Sequence, residues 1–367
     1  MKYIVYIFIS IFVFIGCAPK TELQRGSSVQ YDDVQKQIAQ FDTKEVKDST
    51  SVYVPEKAVI VDTIAVVYPS VNIGKYALDA TNSINTFLLY KGTSFHVMTF
   101  DMFIQNKKNI LNTFEKLKEK NITKAIVMIT KENLSILNSI DGIDDIEIYL
   151  PLVNKNEITN FNQIKNLKVT FGAISYEEQF KYLFDYAQRF SLVELYDNTA
   201  MGDFLHNYLK TKKVSYSKKV DDNNGRYQYF LKGNRYINNS AIVLNTPIVK
   251  SSILLSSITA QELNPATVLS TQLNYTPLIF SLTQKIDRKG LIVANSIGDI
   301  PLDLIEYNEI LGNSISYNWV NYSSIVGAEL LTSKNISFFK DLKLENNQVV
   351  YPVKLYEVKE DSFKLIK

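Results

Sequence analysis

The sequence predicts an α/β protein of two similar lobes, each a parallel sheet covered by helices on both faces. Three observations carry this expectation. From Ala58 onward short apolar runs alternate with longer amphipathic segments; the alternation pauses in an Asn- and Lys-rich loop at 154–168 and then restarts; and the 367 residues are 46% apolar. Strands alternating with helices of that length build βαβ units, and the length and apolar content suffice for two cores.

The first run, Thr63–Tyr68, is nearly continuous and stops at Pro69-Ser70, which is how a strand buried on both faces reads. Gly74–Tyr90 then places Tyr76, Ala77, Ala80, Ile84, Phe87 and Leu88 at helical spacing, closed by Gly92. Strands at Phe95–Phe100 and Ala125–Ile129 are each followed by a helix, over Lys107–Lys120 and Glu132–Ile140, and Ile146–Pro151 makes a fourth strand. The second block repeats the scheme. Its strands are Val169–Ile174, Leu192–Tyr196, Ala241–Leu244 and Val268–Thr271, alternating with helices at Tyr176–Phe190, Ala200–Lys212 and Ile248–Leu263, and the stretch before Ala241 reads as polar.

The first residues have a different character. Lys2 precedes an apolar run from Tyr3 to Ile15, and Gly16 precedes Cys17, the only cysteine in the chain. A helix spanning a hydrocarbon core of about 30 Å needs roughly 20 apolar residues. This run is shorter and fits the apolar core of an export signal over 1–16, with Lys2 as its basic head. Phe14-Ile15-Gly16-Cys17 resembles the lipobox of bacterial lipoproteins, with Phe14 where Leu is usual. The resemblance implies cleavage after Gly16 and lipid attachment at Cys17; the other reading is an ordinary secretory signal or a short uncleaved anchor. Ala18 rather than aspartate follows, which points to an outer-membrane anchor facing the periplasm. Residues 17–57 are polar and punctuated by Gly26-Ser27-Ser28 and Pro55, a composition that buries too little surface to fold and suits a tether.

With its cysteine carrying lipid, the remainder forms no internal disulfide. The formal charge of +2 includes Lys2, which cleavage removes, and such near neutrality argues against a nucleic-acid partner.

Thr63–Pro69 followed by Ile73-Gly74-Lys75-Tyr76-Ala77 opening a helix resembles the first β-α unit of type I periplasmic binding proteins. Val169–Tyr176 is similar to their first unit in the second lobe, Ser323–Leu330 to their late helix and Gln348–Leu355 to their last strand. The resemblance implies two Rossmann-like lobes: lobe 1 over 58–165, completed by about 276–335, and lobe 2 over 166–275, completed by about 336–367. A lipobox joined to this fold resembles the penicillin-binding protein activator lipoproteins more than soluble receptors. The loop Ser70-Val71-Asn72-Ile73 is shorter and poorer in glycine than the family's ligand loop.

Open α/β sheets bind ligands beyond the carboxyl ends of their strands. Ser70, Asn72, Thr130, Ser175, Tyr176, Asn198, Thr246 and Gln272 occupy such ends, where hydroxyl and amide groups hold a small polar ligand or serve as ordinary helix caps and turn formers. No arginine stands among them to clamp a carboxylate. Catalytic equipment is absent from the pattern. His96 lies in an apolar strand and reads as a strand residue, and His206 lies in a helix as a surface or packing residue. Neither neighbours a nucleophile and an acid. Two dispersed histidines do not make a zinc site, Asp221–Gly225 lacks the ligand spacing of a calcium loop and reads as a solvated turn, and there is no phosphate-binding glycine motif. No cofactor or metal is expected. Two aromatic clusters, Tyr227–Phe230 and Tyr317–Tyr322, read as partner-binding patches or as ordinary packing. The expected function is a non-enzymatic scaffold or activator touching a penicillin-binding protein or another envelope protein. The alternative is a lipid-anchored receptor for a small polar solute.

Overall fold

A computed structural model describes residues 62–158, 167–220 and 226–367. The signal, Cys17, the tether and the Asp221–Gly225 turn lie outside the described residues.

Two seven-stranded sheets form the scaffold. The first block supplies β1 (Asp62–Tyr68), β2 (Phe95–Asp101), β3 (Lys124–Val127), β4 (Glu147–Leu150) and β5 (Val169–Phe171). The second supplies β6 (Leu192–Asp197), β7 (Val214–Val220), β8 (Ala241–Asn245), β9 (Thr267–Ser270) and β10 (Leu291–Asn295), and the last residues form β11 (Lys343–Glu345), β12 (Gln348–Val350), β13 (Lys354–Val358) and β14 (Phe363–Leu365). Spatial order is β2-β1-β3-β4-β5-β12-β11 in one sheet and β7-β6-β8-β9-β10-β13-β14 in the other. The two sheets share one order, parallel through their first five strands. They part at the sixth strand, because β12 runs parallel to β5 whereas β13 runs antiparallel to β10.

The helices are α1 (Ser70–Tyr90), α2 (Lys107–Glu119), α3 (Leu134–Leu137), α4 (Tyr176–Ala187), α5 (Ala200–Leu209), α6 (Gln228–Leu231), α7 (Ile248–Ala260), α8 (Leu278–Leu282), α9 (Leu302–Ile310) and α10 (Trp319–Ser333). Side-chain caps fix several starts: Asn106 accepts the N–H of Asn109, Ser175 that of Glu178, Thr199 that of Gly202 and Asn318 those of Val320 and Asn321. Each cap satisfies an amide that the helix leaves unpaired, worth about 1 kcal/mol. The Glu132–Ile140 helix shrinks to a 3-10 turn at Lys131–Asn133 and the single turn of α3. Among the described residues no helix is long and apolar enough to cross a membrane.

Central strands are buried on both sides, as their continuous apolar runs require: Ile64, Ala65, Val66 and Val67 expose nothing, and every residue of β8 and β10 is buried. Phe114 and Leu117 of α2 cover one face of the first sheet, and Leu254 and Leu255 of α7 cover the corresponding face of the second. The other faces, carrying α1, α10, α4 and α5, meet in one cluster that runs through both lobes and includes Phe87, Tyr149, Phe180, Leu205 and Tyr322. Each fully buried Leu or Phe contributes about 1.5–3 kcal/mol.

The chain passes between sheets later than the sequence reading places it. Val169–Phe171, read as opening lobe 2, pairs with β4 in the first sheet, so the first crossing is at Gly172–Ser175 and not in the preceding loop. Within 276–335, α10 does pack on α1 of the first lobe, but β10 pairs with β9 in the second sheet. Gln348–Leu355, read as one strand, is split between sheets at Tyr351-Pro352-Val353, since β12 pairs with β5 and β13 with β10. Pro352 has no N–H to give a ladder, which suits it to the break.

Candidate functional site: the cleft between the lobes

A cavity of about 240 Å³ opens between the lobes beyond the carboxyl ends of β3, β4 and β5. Lobe 1 contributes Thr130, Lys131, Glu132, Leu152, Glu157, Ala173 and Ile174, together with Trp319 at the start of α10; lobe 2 contributes Tyr176 of α4 and Ala200, Met201 and Phe204 of α5. Its walls are chiefly aromatic and aliphatic, and of its charged side chains Glu157 is more deeply buried than Lys131.

Side chains of the two lobes meet across this cleft. The Tyr176 ring lies edge-on to Phe204 with centroids 6.0 Å apart, and its hydroxyl is hydrogen-bonded to Trp319. Burial pushes that hydroxyl far above the ordinary tyrosine range. The Lys131 ammonium sits 5.1 Å from the Phe204 ring centroid and 3.9 Å from a Glu157 oxygen. Burial raises the Glu157 carboxyl above the usual range; Lys131 opposes the shift while Glu132 and Glu177 add to it. Glu132 moves the other way: burial would raise it, but hydrogen bonds from Thr130 and its own backbone, with Lys131 nearby, hold it low.

Of the strand-end residues read from the sequence, Thr130 and Tyr176 reach the cavity. Ser70 donates its N–H to Asp101 at 3.0 Å where α1 begins, and Asn72 is exposed one residue pair further on. Ser175 is spent capping α4, and Asn198 is exposed beside the cap residue Thr199. Thr246 is fully buried, with its hydroxyl 2.7 Å from Ser251. Gln272 lies in a buried amide network: its side chain donates to Asn295 at 2.8 Å and accepts the Ser296 N–H at 2.7 Å, while its own N–H donates to Gln179 at 2.8 Å. Lys131, Glu157 and Phe204 were not singled out in the sequence. Trp319 stood within an aromatic cluster, and its being the sole tryptophan was the available signal. Those clusters are not continuous surfaces, because Tyr227 and Tyr322 are buried whereas Tyr229 and Tyr317 are exposed.

Of the two readings of His206, surface or packing residue, the structure bears out packing. Its Nδ1 lies 2.7 Å from Glu194 Oε2, and its ring stacks on Tyr196 at 3.9 Å. Glu194, 1% exposed, also accepts the Ser217 hydroxyl at 2.7 Å and the Asn245 amide at 3.0 Å. These contacts hold a buried carboxylate inside a lobe, away from the cleft cavity. His96 is exposed on β2 in the other lobe. Among the described residues no group of three His, Cys, Asp or Glu side chains is placed to hold a metal.

This two-lobed arrangement is the fold of type I periplasmic binding proteins. A branched-chain amino acid ABC transporter periplasmic ligand-binding protein from Burkholderia xenovorans superposes with a TM-score of 0.59 at 9% identity, over 83% of this chain and 94% of that one. LivJ of Streptococcus pneumoniae, solved with isoleucine, gives 0.56 at 7% identity, over 84% and 99%. The fold also matches the C-domain of LpoA from Haemophilus influenzae, described as a regulator of PBP1A, with a TM-score of 0.54 at 12% identity over 83% of this chain and all of that domain. No protein-family model and no curated protein matches the sequence.

Proposed function

We propose that the protein is a non-enzymatic, lipid-anchored envelope component that works by binding another envelope protein, with a penicillin-binding protein as the first candidate. The observation that carries this reading is the state of the strand-end polar groups. Gln272, Thr246 and Ser175 are committed to the protein's own atoms, and no arginine lines the cleft. A receptor for a polar solute needs such groups free, because each hydrogen bond given up inside the protein costs about what the ligand returns. Likeness in fold to a regulator of PBP1A supports the same reading. Cys17 supplies the lipid site, and 17–57 the tether to an outer membrane facing the periplasm.

Two measurements test this. Radiolabelled palmitate should enter the chain and vanish with Cys17→Ala. Surface binding against the bifunctional penicillin-binding proteins of the same organism should give saturable binding to at least one; binding to none of them sinks the partner assignment.

A second reading, a solute receptor, is favoured by one feature: the cavity itself, with Tyr176, Phe204 and Trp319 as walls. Such a lining suits an apolar side chain better than the polar ligand the sequence suggested. A ligand that binds the folded state alone raises stability by RT ln(1 + [L]/Kd). A concentration-dependent rise in melting temperature with leucine, isoleucine, valine, a nucleoside or a muropeptide would transfer the assignment to this reading.

A further inference from the structure

Lys131 holds its ammonium inside the cleft cavity, between an aromatic face of lobe 2 and a carboxyl of lobe 1. It stands 5.1 Å from the Phe204 ring centroid and 3.9 Å from a Glu157 oxygen. An aromatic face attracts an ammonium through its quadrupole, most strongly where water is excluded. The position therefore accepts a primary ammonium, and the chain's own lysine demonstrates it. That occupant is loosely held. A separation of 3.9 Å makes an ion pair but is too long for a hydrogen bond, and the Lys131 side chain is 37% exposed against 16% for Glu157.

Glu157 is left short of partners. Among the described residues no donor stands within hydrogen-bond distance of its carboxyl, and Glu132 and Glu177 act on it in the same sense as burial, against Lys131. A desolvated carboxyl gains most from a cation delivered at hydrogen-bond distance. The rest of the wall, Leu152, Ala173, Ile174, Met201 and Trp319, suits an apolar body. Its indole N–H is already given to the Tyr176 hydroxyl.

We propose that this seat takes the ammonium of a primary alkylamine, whose apolar body fills the rest of the cavity, and that Lys131 is a tethered competitor for it. The proposal names a ligand class for the cavity and so rests on the second reading above, that the cleft holds a solute. It asks nothing of Ser175, Thr246 or Gln272, whose polar groups are committed elsewhere. Nor does it call for an arginine, because the ligand needs no carboxylate. A free amine approaches the Glu157 oxygens to hydrogen-bond distance, and Lys131 turns out to solvent. Since the seat joins Glu157 of one lobe to Phe204 of the other, the ligand that takes it also bridges the lobes.

Calorimetric titration of the full chain with isopentylamine, leucine and isopentanol tests this, since the three share one apolar body and differ in charge. Isopentylamine should bind saturably. Leucine, which carries a carboxylate in beside Glu132, and the uncharged isopentanol should each bind about tenfold more weakly or worse. Glu157→Gln should weaken isopentylamine by about tenfold or more. Lys131→Ala should tighten it by about threefold or more, the reverse of what a residue holding the ligand would show. Affinity should also rise with pH through the folded value of Glu157, which burial raises, and lose that slope in Glu157→Gln. The other titratable groups facing this carboxyl are Lys131 and Glu132 from the turn after β3, Tyr176 and Glu177 from α4, and Tyr208 from α5. Weaker or unchanged binding in Lys131→Ala overturns the competitor role. Isopentanol binding as tightly as the amine, or leucine binding where the amine does not, overturns the ammonium seat and leaves the solute reading standing. Binding of none of the three overturns the proposal, and the nucleoside and muropeptide melts then decide the solute reading by themselves.

Discussion

Tyr149 of β4 and Glu194 of β6 are both buried polar side chains on the faces that meet between the lobes, yet they are held by different physics. In lobe 1 the polar set is neutral: the Tyr149 hydroxyl lies 3.1 Å from Ser323 and 3.3 Å from Tyr351, and both of those donate to the Gly172 carbonyl at 2.7 Å. Shape matters as much as bonding there. The Tyr149 side chain occupies the space where a Cβ on Gly172 or Gly327 would stand, at 2.1 and 2.3 Å. Lobe 2 instead buries the Glu194 carboxyl and surrounds it with His206, Ser217 and Asn245, and buries Asp197 with Lys250 at 3.1 Å. The Tyr149 site is keyed by volume and the Glu194 site by its hydrogen bonds, so their sensitivities should separate.

The largest effect is expected at the Glu194 site. Glu194→Ala strips three partners at once and should cost about 3 kcal/mol or more of unfolding free energy, since the groups left behind lose a fully desolvated acceptor. Glu194→Gln keeps the shape and should cost less in urea unfolding; equal loss from the two would show that volume, not charge, governs this lobe as well.

Next comes the Tyr149 site. Gly327→Ala lies in the middle of α10, where alanine ordinarily gains about 1 kcal/mol, but here the new methyl meets the Tyr149 ring. Overpacking costs about 1–3 kcal/mol, so the net change should be a loss, and a double-mutant cycle with Tyr149→Ala should reveal strong coupling. Additive effects would break the comparison.

The cleft between them should respond to pH. Burial raises Glu157 in the folded protein, so the folded state binds that proton more tightly than the unfolded one. Its contribution is present below the unfolded value and lost as pH climbs through the folded value. Thermal melts should therefore show stability declining with pH just above the ordinary glutamate range, and Glu157→Gln should remove that slope. An unchanged slope would assign it elsewhere. Lys131→Ala should have the smallest effect on stability, less than about 1 kcal/mol for a rim cation over an aromatic ring. Its readout is shape, because loss of the contact with Phe204 should increase the radius of gyration in solution scattering.

The sheets' central strands were legible because burial on both faces writes a continuous apolar run, as in β1 and β8. β7 was not: Val214–Val220 is an edge strand whose residues alternate between half-buried and exposed, so its Ser and Lys residues read as polar loop. Sheet membership was also hidden. Whether β5 ends the first lobe or opens the second depends on pairing with β4 and β12, a contact between distant residues that local pattern does not encode. At the cleft, the strand-end rule found Thr130 and Tyr176, which follow directly from topology. Phe204 and Lys131 depend on how α5 and the turn after β3 are rotated. Thr246 and Gln272 were placed at strand ends from sequence, but their commitment to Ser251, Asn295 and Ser296 is a tertiary fact.

The three passages between the sheets, at Gly172–Ser175, across 296–318 and at Tyr351–Val353, also bear on the order of synthesis. No uninterrupted stretch of the gene encodes a lobe. The first sheet waits for α10 and β12, and so remains open along one face and one edge until nearly the whole chain has emerged. Folding of the first lobe must therefore await synthesis of nearly the whole chain, and a chain cut short before Val350 is expected to be degraded rather than to persist as a smaller protein.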